Sequence, residues 1–331
     1  MNPEGESVGG KAPLVSIGMP LYNEERFLAP ALDSLLAQDF QDFELVISDN
    51  ASQDATQQVC LAYAARDTRI RYIRKAVNCG AVENFNTVFR ASSGKYFLWA
   101  SGHDLWHRSY ISRCFELLEQ NPQVMLCSSQ VRVIGPQGEL VEIVTEGIDT
   151  RGLDAFGRFR ATLWGLVRIP YSDPIYGLIR AEALRGTGLF RNVWGTDNLI
   201  LLELSLAGAF AHSDEPLYSR RVNRDRQADV ATWTERYLEA LSPKNRARRL
   251  KFSYSRMCFA YMGIVQRSPF TPSQKLRLLR EIWQSVLGRF WRGLFFHDVV
   301  CGVLRLIFGH RSVYQFKKYA YRLAKSLGAY R

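Results

Sequence analysis

Two apolar runs about thirty residues apart each lead straight into a polar loop: Leu14-Val-Ser-Ile-Gly-Met-Pro-Leu-Tyr-Asn-Glu-Glu25 and Phe43-Glu-Leu-Val-Ile-Ser-Asp-Asn-Ala-Ser-Gln-Asp54. A helix-like segment follows each loop. Strand, loop and helix repeated in this way predict right-handed βαβ units and a mainly parallel sheet. Such a sheet brings the carboxyl ends of its strands to one edge, where open α/β folds bind ligands. Pro20, Tyr22 and Glu24 would then neighbour Asp49, Asn50 and Asp54. An aromatic ring beside several acceptors suits a nucleobase and ribose. Bare phosphate is poorly served, because these loops have no P-loop or G-x-G-x-x-G cradle.

The alternation continues. Strands are predicted near 14–19, 43–48, 70–74, 95–100 and 124–134, with helices near 25–37, 54–65, 82–91 and 109–119. Gly135-Pro-Gln-Gly138 reads as a hairpin turn. Residues 153–166 look helical, Ile175 to Arg180 reads as a strand, and Asp197 to Ala207 reads as a helix. Six cysteines, at 60, 79, 114, 127, 258 and 301, form no C-x-x-C pair. They fit buried thiols rather than a zinc ribbon or a disulfide framework. The N-terminal residues Met1 to Ala12 are polar and Gly-rich, unlike a signal peptide. The apolar stretch Val286 to Phe308 is broken by Arg289, Arg292, His297, Asp298 and Arg305, so no standard transmembrane helix is expected there.

Three constellations could carry chemistry. The first is Pro20, Tyr22, Glu24 and Asp49: Tyr can stack on a base, Asp can accept from a pyrimidine N–H, and Glu can hold ribose hydroxyls. The same acids can instead serve as helix caps and first-turn charges. The second is Ser101, Gly102, His103 and Asp104, at the end of an apolar strand. An imidazole and a carboxylate there can hold a divalent cation with diphosphate completing its shell, or can belong to a capped turn. The third is Trp194-Gly-Thr-Asp-Asn198, where Asp197 is either a cap or a general base meeting a substrate hydroxyl.

In this order the constellations resemble the family-2 glycosyltransferases. The resemblance covers roughly residues 13–225 and rests on "VSIGMPLYNEERFLAPALDSLLAQ", "FELVISDNASQDAT", "NCGAVENFN", "SSGKYFLWASGHD", "YGLIRAEAL" and "GTDNLILLELSLAG". It implies an α/β fold of the GT-A type: a Rossmann-like, mostly parallel mixed sheet flanked by helices, followed by a helical basic C-terminal region. It implies transfer with inversion from a UDP- or dTDP-linked sugar to a glycan or lipid-linked acceptor, in building a bacterial-type surface glycan at the cytoplasmic face. Donor contacts fall to Pro20, Tyr22, Glu24, Asp49, Asn78, Gly80, Ser101 and Gly102, and the base to Asp197. Two departures affect the metal–diphosphate region. Ser101-Gly102-His103 stands where Asp-x-Asp is usual, and Asn223 where a His is expected. Three outcomes follow: a Mn or Mg site through His103 and Asp104, neutralisation by Arg220 or Arg221, or a non-catalytic nucleotide-sugar-binding or scaffolding protein.

The expected organisation is a tail at 1–12, a catalytic domain at 13–228 (nucleotide half 13–134, acceptor half 135–228) and a helical region at 229–331. The formal net charge is +11, and Lys275 to Arg331 carries twelve Lys and Arg against Glu281 and Asp298. Nearly all of the excess charge therefore lies in this tail. Leu279, Ile282, Trp283, Val286, Leu287, Phe290, Trp291 and Leu294 recur at helical spacing as one apolar face. This end can be a packed lid, a homodimer surface or an interfacial helix on anionic membrane. No nucleic-acid motif accompanies the basic residues, so no nucleic-acid partner is expected.

Overall fold

The structure, a computed structural model, describes residues 12–171, 173–222 and 253–292. Its first half follows the predicted rhythm: β1 (Val15–Leu21), α1 (Glu25–Leu36), β2 (Phe43–Asp49), α2 (Thr56–Ala64), β3 (Ile70–Arg74), α3 (Ala81–Arg90) and β4 (Tyr96–Trp99). These four strands pair in parallel in the order β3-β2-β1-β4. All of β1 except Pro20 is buried, so this strand needs a continuous apolar run rather than alternation. Leu28, Ala31, Leu32 and Leu35 of α1 repeat at helical spacing and are fully buried. The register sets Leu21 opposite Asp49 and Asp49 opposite Arg74, bringing three strand ends level at one edge.

Beyond β4 the elements are β5 (Leu105–Trp106), α4 (Tyr110–Gln120), β6 (Val124–Ile134), β7 (Leu140–Val144), α5 (Ala155–Arg168), a 3-10 turn (Pro174–Tyr176), β8 (Leu178–Arg180), α6 (Ala181–Arg185), α7 (Thr196–Ala207) and β9 (Ala209–Arg221). Strand β8 runs antiparallel to both β4 and β6, β6 pairs in parallel with β9, and β7 folds back on β6 as the predicted hairpin. The sheet is therefore parallel in its first half and mixed in its second, flanked by helices, which is the predicted class. Three details differ from the sequence reading. The strand at 175–180 is shortened by the turn that Pro174 opens, since proline has no N–H for a ladder and its ring fixes φ. Strand β9 begins at Ala209, directly after α7, because Ala209–Ser213 pairs along β6, whereas in the sequence only Glu215 to Arg221 reads as a strand. Strand β5 is two residues long, too short to leave a pattern.

Residues 1–191 and 196–244 group as one compact unit, and 192–195 with 245–331 as another. The proposed boundaries at 12 and 228 fall outside the described residues or at their margin. In the second unit α8 (Ser253–Arg267) packs on α9 (Pro272–Arg292). Met257, Cys258, Tyr261, Ile264 and Val265 are buried on α8, and Leu278, Glu281, Ile282 and Ser285 on α9. The predicted apolar face is thus rotated. Trp283 is 44% exposed and Leu276 71%, because the packed face is centred one residue away, on the 278–282–285 row. The side chains of residues 286–292, and everything at 223–252 and after 292, lie outside the described residues, including Asn223 and Trp291. Cys60, Cys114 and Cys127 are buried free thiols, Cys258 is buried and Cys79 is half-buried, in keeping with their sequence reading.

Candidate active site

At the shared strand edge, the loops after β1 and β2 are stitched together by side chains. Asn23 Oδ1 accepts from Gln53 N at 2.9 Å, and Asn23 N donates to Ser52 Oγ at 3.0 Å. Glu24 N donates to Thr56 Oγ1 and Glu25 N to Asp54 Oδ2, at 2.9 and 3.1 Å. Glu25 returns the bond, accepting from Ala55 N at 2.8 Å. The two loops predicted to neighbour each other do so, through Asn23, Glu24 and Glu25. Burial works against ionisation of Asp54, yet the hydrogen bonds from Thr56 and from the N–H groups of Thr56 and Glu25 outweigh it, and the carboxyl lies below its ordinary value. In the same β1 loop, Tyr22 is 43% exposed.

Asp49 differs from the sequence reading. Its carboxylate is completely buried, accepting from Ser52 N (2.8 Å), the Tyr72 hydroxyl (2.8 Å) and the Arg74 guanidinium. Completely buried, it offers no exposed oxygen to a base N–H. Arg74, a third exposed, is the charged group that faces outward. Burial, and then the bond to Asp49, pushes the Tyr72 hydroxyl up to about 12. The sequence reading passed over Tyr72 and Arg74. The available signal was that the third strand also ends at this edge, in Arg.

Asn78 and Gly80 are tied into the same edge. Asn50 Nδ2 donates to Asn78 Oδ1 at 2.9 Å, Gly80 N donates to that oxygen at 2.8 Å, and Cys79 N donates to Asn50 Oδ1 at 2.8 Å. Gly80 has φ of 87°, a conformation that favours glycine. Buried Asn84 closes the strand ends from below. It donates to Leu21 O (3.1 Å) and Ser48 O (3.0 Å) and accepts from Ser48 Oγ (2.6 Å).

The structure parts the residues proposed for a metal. A Cβ on Gly102 would lie 2.7 Å from Leu21 Cδ2, so glycine lets this loop pass close to β1. His103 Nδ1 then meets the Glu24 carboxylate at 3.1 and 3.2 Å. Asp104 turns inward. It is 2% exposed and accepts from the Ser101 hydroxyl, from the Tyr218 hydroxyl at 2.6 Å and from Arg221 N at 2.8 Å. Both of its oxygens are thereby engaged within the protein, while the His103 ring faces Glu24. The arginines are committed as well. Arg221 donates to His103 O (2.9 Å), Gly135 O (3.0 Å) and Pro136 O (3.2 Å) and covers the Phe27 ring at 4.6 Å. Arg220 is ion-paired with Asp173 and lies over the Tyr171 ring at 5.2 Å. Among the described residues no three His, Cys, Asp or Glu side chains converge as a metal site. The donor set does not fit a carboxylate-held divalent cation.

Asp197 lies in the first turn of α7. Burial raises its carboxyl above the ordinary value, against the lowering effect of the N–H groups of Asn198 and Asp197 itself. The loop leading to α7 is docked rigidly. Asn86 Nδ2 donates to Phe190 O (2.9 Å), and Phe190 N donates back to Asn86 Oδ1 (3.0 Å). The Phe190 ring packs on Phe85 and Trp99 at 4.6 and 5.1 Å, and Arg191 pairs with Glu203 at 2.8 Å.

A sheet parallel in its first half and mixed in its second, flanked by helices, is a GT-A-like arrangement, and the comparisons agree. Residues 16–185 match the model of Glycosyl transferase family 2, and the chain belongs to that family. An uncharacterized glycosyltransferase of Bacillus subtilis, EpsJ, is 38% identical over 109 residues, covering 33% of this chain and 31% of EpsJ. An uncharacterized glycosyltransferase of Rickettsia typhi is 30% identical over 109 residues, 33% of each chain. The match thus spans about a third of these relatives. Among solved structures, Staphylococcus aureus TarS 1–349 with UDP-GlcNAc superimposes with a TM-score of 0.63 at 17% identity, covering 85% of this chain and 74% of TarS 1–349. The Pyrobaculum calidifontis mannosyltransferase PcManGT, with GDP-Man and Mn2+, gives 0.55 at 15% identity, covering 95% of this chain and 81% of the other. At such identities these two speak for the fold alone.

Proposed function

We propose that this glycosyltransferase moves a sugar from a UDP- or dTDP-linked donor to a hydroxyl of a glycan or lipid-linked acceptor, with inversion. The observation that carries the reading is exposed Tyr22 in the loop after β1, which side-chain hydrogen bonds lock to the loop after β2. Tyr22 and Pro20 would seat the base, and Glu24 the ribose. Asn78 and Gly80 shape the neighbouring loop, while Asp49 acts through Tyr72 and Arg74. TarS has UDP-GlcNAc bound and PcManGT has GDP-Man bound, which makes a nucleotide-sugar donor the natural class.

Asp197 is the general base. A carboxylate raised by burial takes a proton more readily than one in water. The acceptor O–H loses its proton to Asp197 as the acceptor oxygen bonds to the anomeric carbon. The bond from that carbon to the diphosphate breaks on the opposite face, and the nucleoside diphosphate leaves with the electron pair. Asp197→Asn should bind UDP like the parent in calorimetry and transfer sugar about a thousandfold more slowly. Undiminished transfer would remove Asp197 from this role.

Among the described residues no helix is long and apolar enough to cross a membrane. Exposed Leu276 and Trp283 share α9 with the exposed cations Arg277 and Arg280, a composition suited to anionic headgroups. We place this region on the inner face of the cell membrane. Equal binding of the full chain to vesicles with and without phosphatidylglycerol would count against it.

A further inference from the structure

We infer that Arg74 reads the base of the donor: its guanidinium favours a base that presents a carbonyl oxygen (O4 of uracil or thymine, O6 of guanine) over one with an amino group in that place (cytosine or adenine). The inference rests on the nucleotide-sugar reading above and names the class of base at that site. It concerns the end of β3, where the register sets Arg74 level with Asp49 and Leu21 at the edge that carries Tyr22.

The first argument is availability. Asp49, at the end of β2, is completely buried and already accepts from Ser52 N, Tyr72 and Arg74. Asn50 is 2% exposed, and both ends of its amide are taken, by Asn78 Oδ1 and by Cys79 N. Arg74 stands differently. Its side chain is 33% exposed, and it gives one N–H to Asp49 and one to Ser52 O at 3.0 Å. A guanidinium carries five N–H donors, so donors remain for a ligand even with one turned to the neighbouring Tyr72 oxygen. The second argument is place. Ser52 links Arg74 to the Tyr22 loop: its carbonyl accepts from Arg74, and its hydroxyl accepts at 3.0 Å from the N–H of Asn23, the residue after Tyr22. The guanidinium and exposed Tyr22 thus belong to one stitched pair of loops. In the proposed complex the base lies on Tyr22 and turns its edge to Arg74. The third argument is chemical. A guanidinium has donors and no acceptor, so it bonds to O4 or O6, whereas an amino group in the same place meets it donor to donor. Asp49 and Ser52 O hold the planar fork in place, so little side-chain freedom is lost when a base arrives.

The test is calorimetric titration of the full chain with UDP, dTDP, GDP, CDP and ADP in one buffer. The parent is expected to bind UDP at least about tenfold more tightly than CDP, which differs from it only at this edge of the base. GDP against ADP repeats the comparison for a purine. Arg74→Gln presents an amide with both a donor and an acceptor, and should bring UDP and CDP within about threefold of each other by weakening UDP alone. Arg74→Lys keeps the charge beside Asp49 and offers donors only, so its preference for UDP should persist. Equal weakening of UDP and CDP by Arg74→Gln, with their ratio kept, would mark Arg74 as a brace for Asp49 and overturn the proposal. A parent that shows no preference in either pair would also overturn it, whether or not the variants fold, while leaving the nucleotide reading intact. Failure of all five nucleotides to bind would overturn both.

Discussion

Three carboxylates near the sheet edge look alike in sequence and live in opposite environments. Asp49 and Asp104 are buried in the same unit and each accepts from three donors, two of them side chains. Asp197 meets backbone N–H groups at a helix start, and burial prevails over them. A buried carboxylate with a full set of donors is a joint: it fixes loops and strands and is costly to remove. One whose burial outweighs its donors is poised to take a proton. The contrast sets Asp49 and Asp104 apart as joints and leaves Asp197 as the carboxylate suited to the proposed role of base.

The sharpest way to break this contrast is Asp197→Asn. Turnover should fall by about a thousandfold, within the usual range for loss of a general base. Stability should move the other way at neutral pH. The folded state raises the pKa of Asp197, so ionising it disfavours the fold above that pKa and is without effect below the unfolded value. The variant should therefore melt at an equal or higher temperature at pH 7, with the gain fading toward pH 4. The same shift makes parent turnover fall as pH drops through a value above the ordinary carboxylate range, read from a kcat/KM profile. A variant that melts lower at pH 7 would mark Asp197 as another joint.

Asp104→Ala tests the other side. It strands the Tyr218 hydroxyl, the Ser101 hydroxyl and the Arg221 N–H, and should cost about 3 kcal/mol in urea unfolding. Near-parental stability would show that Asp104 is not such a joint. Next in size is Asn86→Ala, which leaves Phe190 N and O unpaired below the loop that leads to α7. It should cost about 2 kcal/mol. Because the loop positions α7, kcat should fall while the Kd for UDP stays unchanged. Equal loss of both would show that Asn86 supports the whole edge.

These contrasts also show where the sequence was readable. The parallel half was legible because each of its strands is an apolar run closed by a polar loop, and α1 shows its buried face as Leu28, Leu32 and Leu35. The resemblance pointed to the family through the same segments. What local pattern could not carry was pairing at a distance. That Asp49 is quenched by Tyr72 and Arg74 depends on the β2–β3 register, and that Asp104 is quenched by Tyr218 depends on β9 returning beside β5. Both aspartates therefore looked available. On α9 the periodicity was correct in kind, but Trp283 fell outside the packed row because helix phase is set by the partner α8, which periodicity does not describe.

The smallest predicted effect separates two backbone joints at the same edge. Asn23 and Ala51 both adopt left-handed backbone, with φ of 54° and 61°. That conformation costs an L-residue roughly 1–2 kcal/mol, and asparagine tolerates it better than most because its short amide can bond locally. Asn23 has such a bond, to Gln53 N, whereas the methyl group of Ala51 offers none. Ala51→Gly should therefore stabilise the fold by about 0.5 kcal/mol, the relief of strain less the greater entropy that glycine loses on folding. Asn23→Gly should destabilise by about 1 kcal/mol, because it deletes the stitch between the loops. Opposite signs in chemical denaturation would show that the floor beneath Tyr22 is held by side-chain bonds and not by backbone preference. Matching signs would show that it is not.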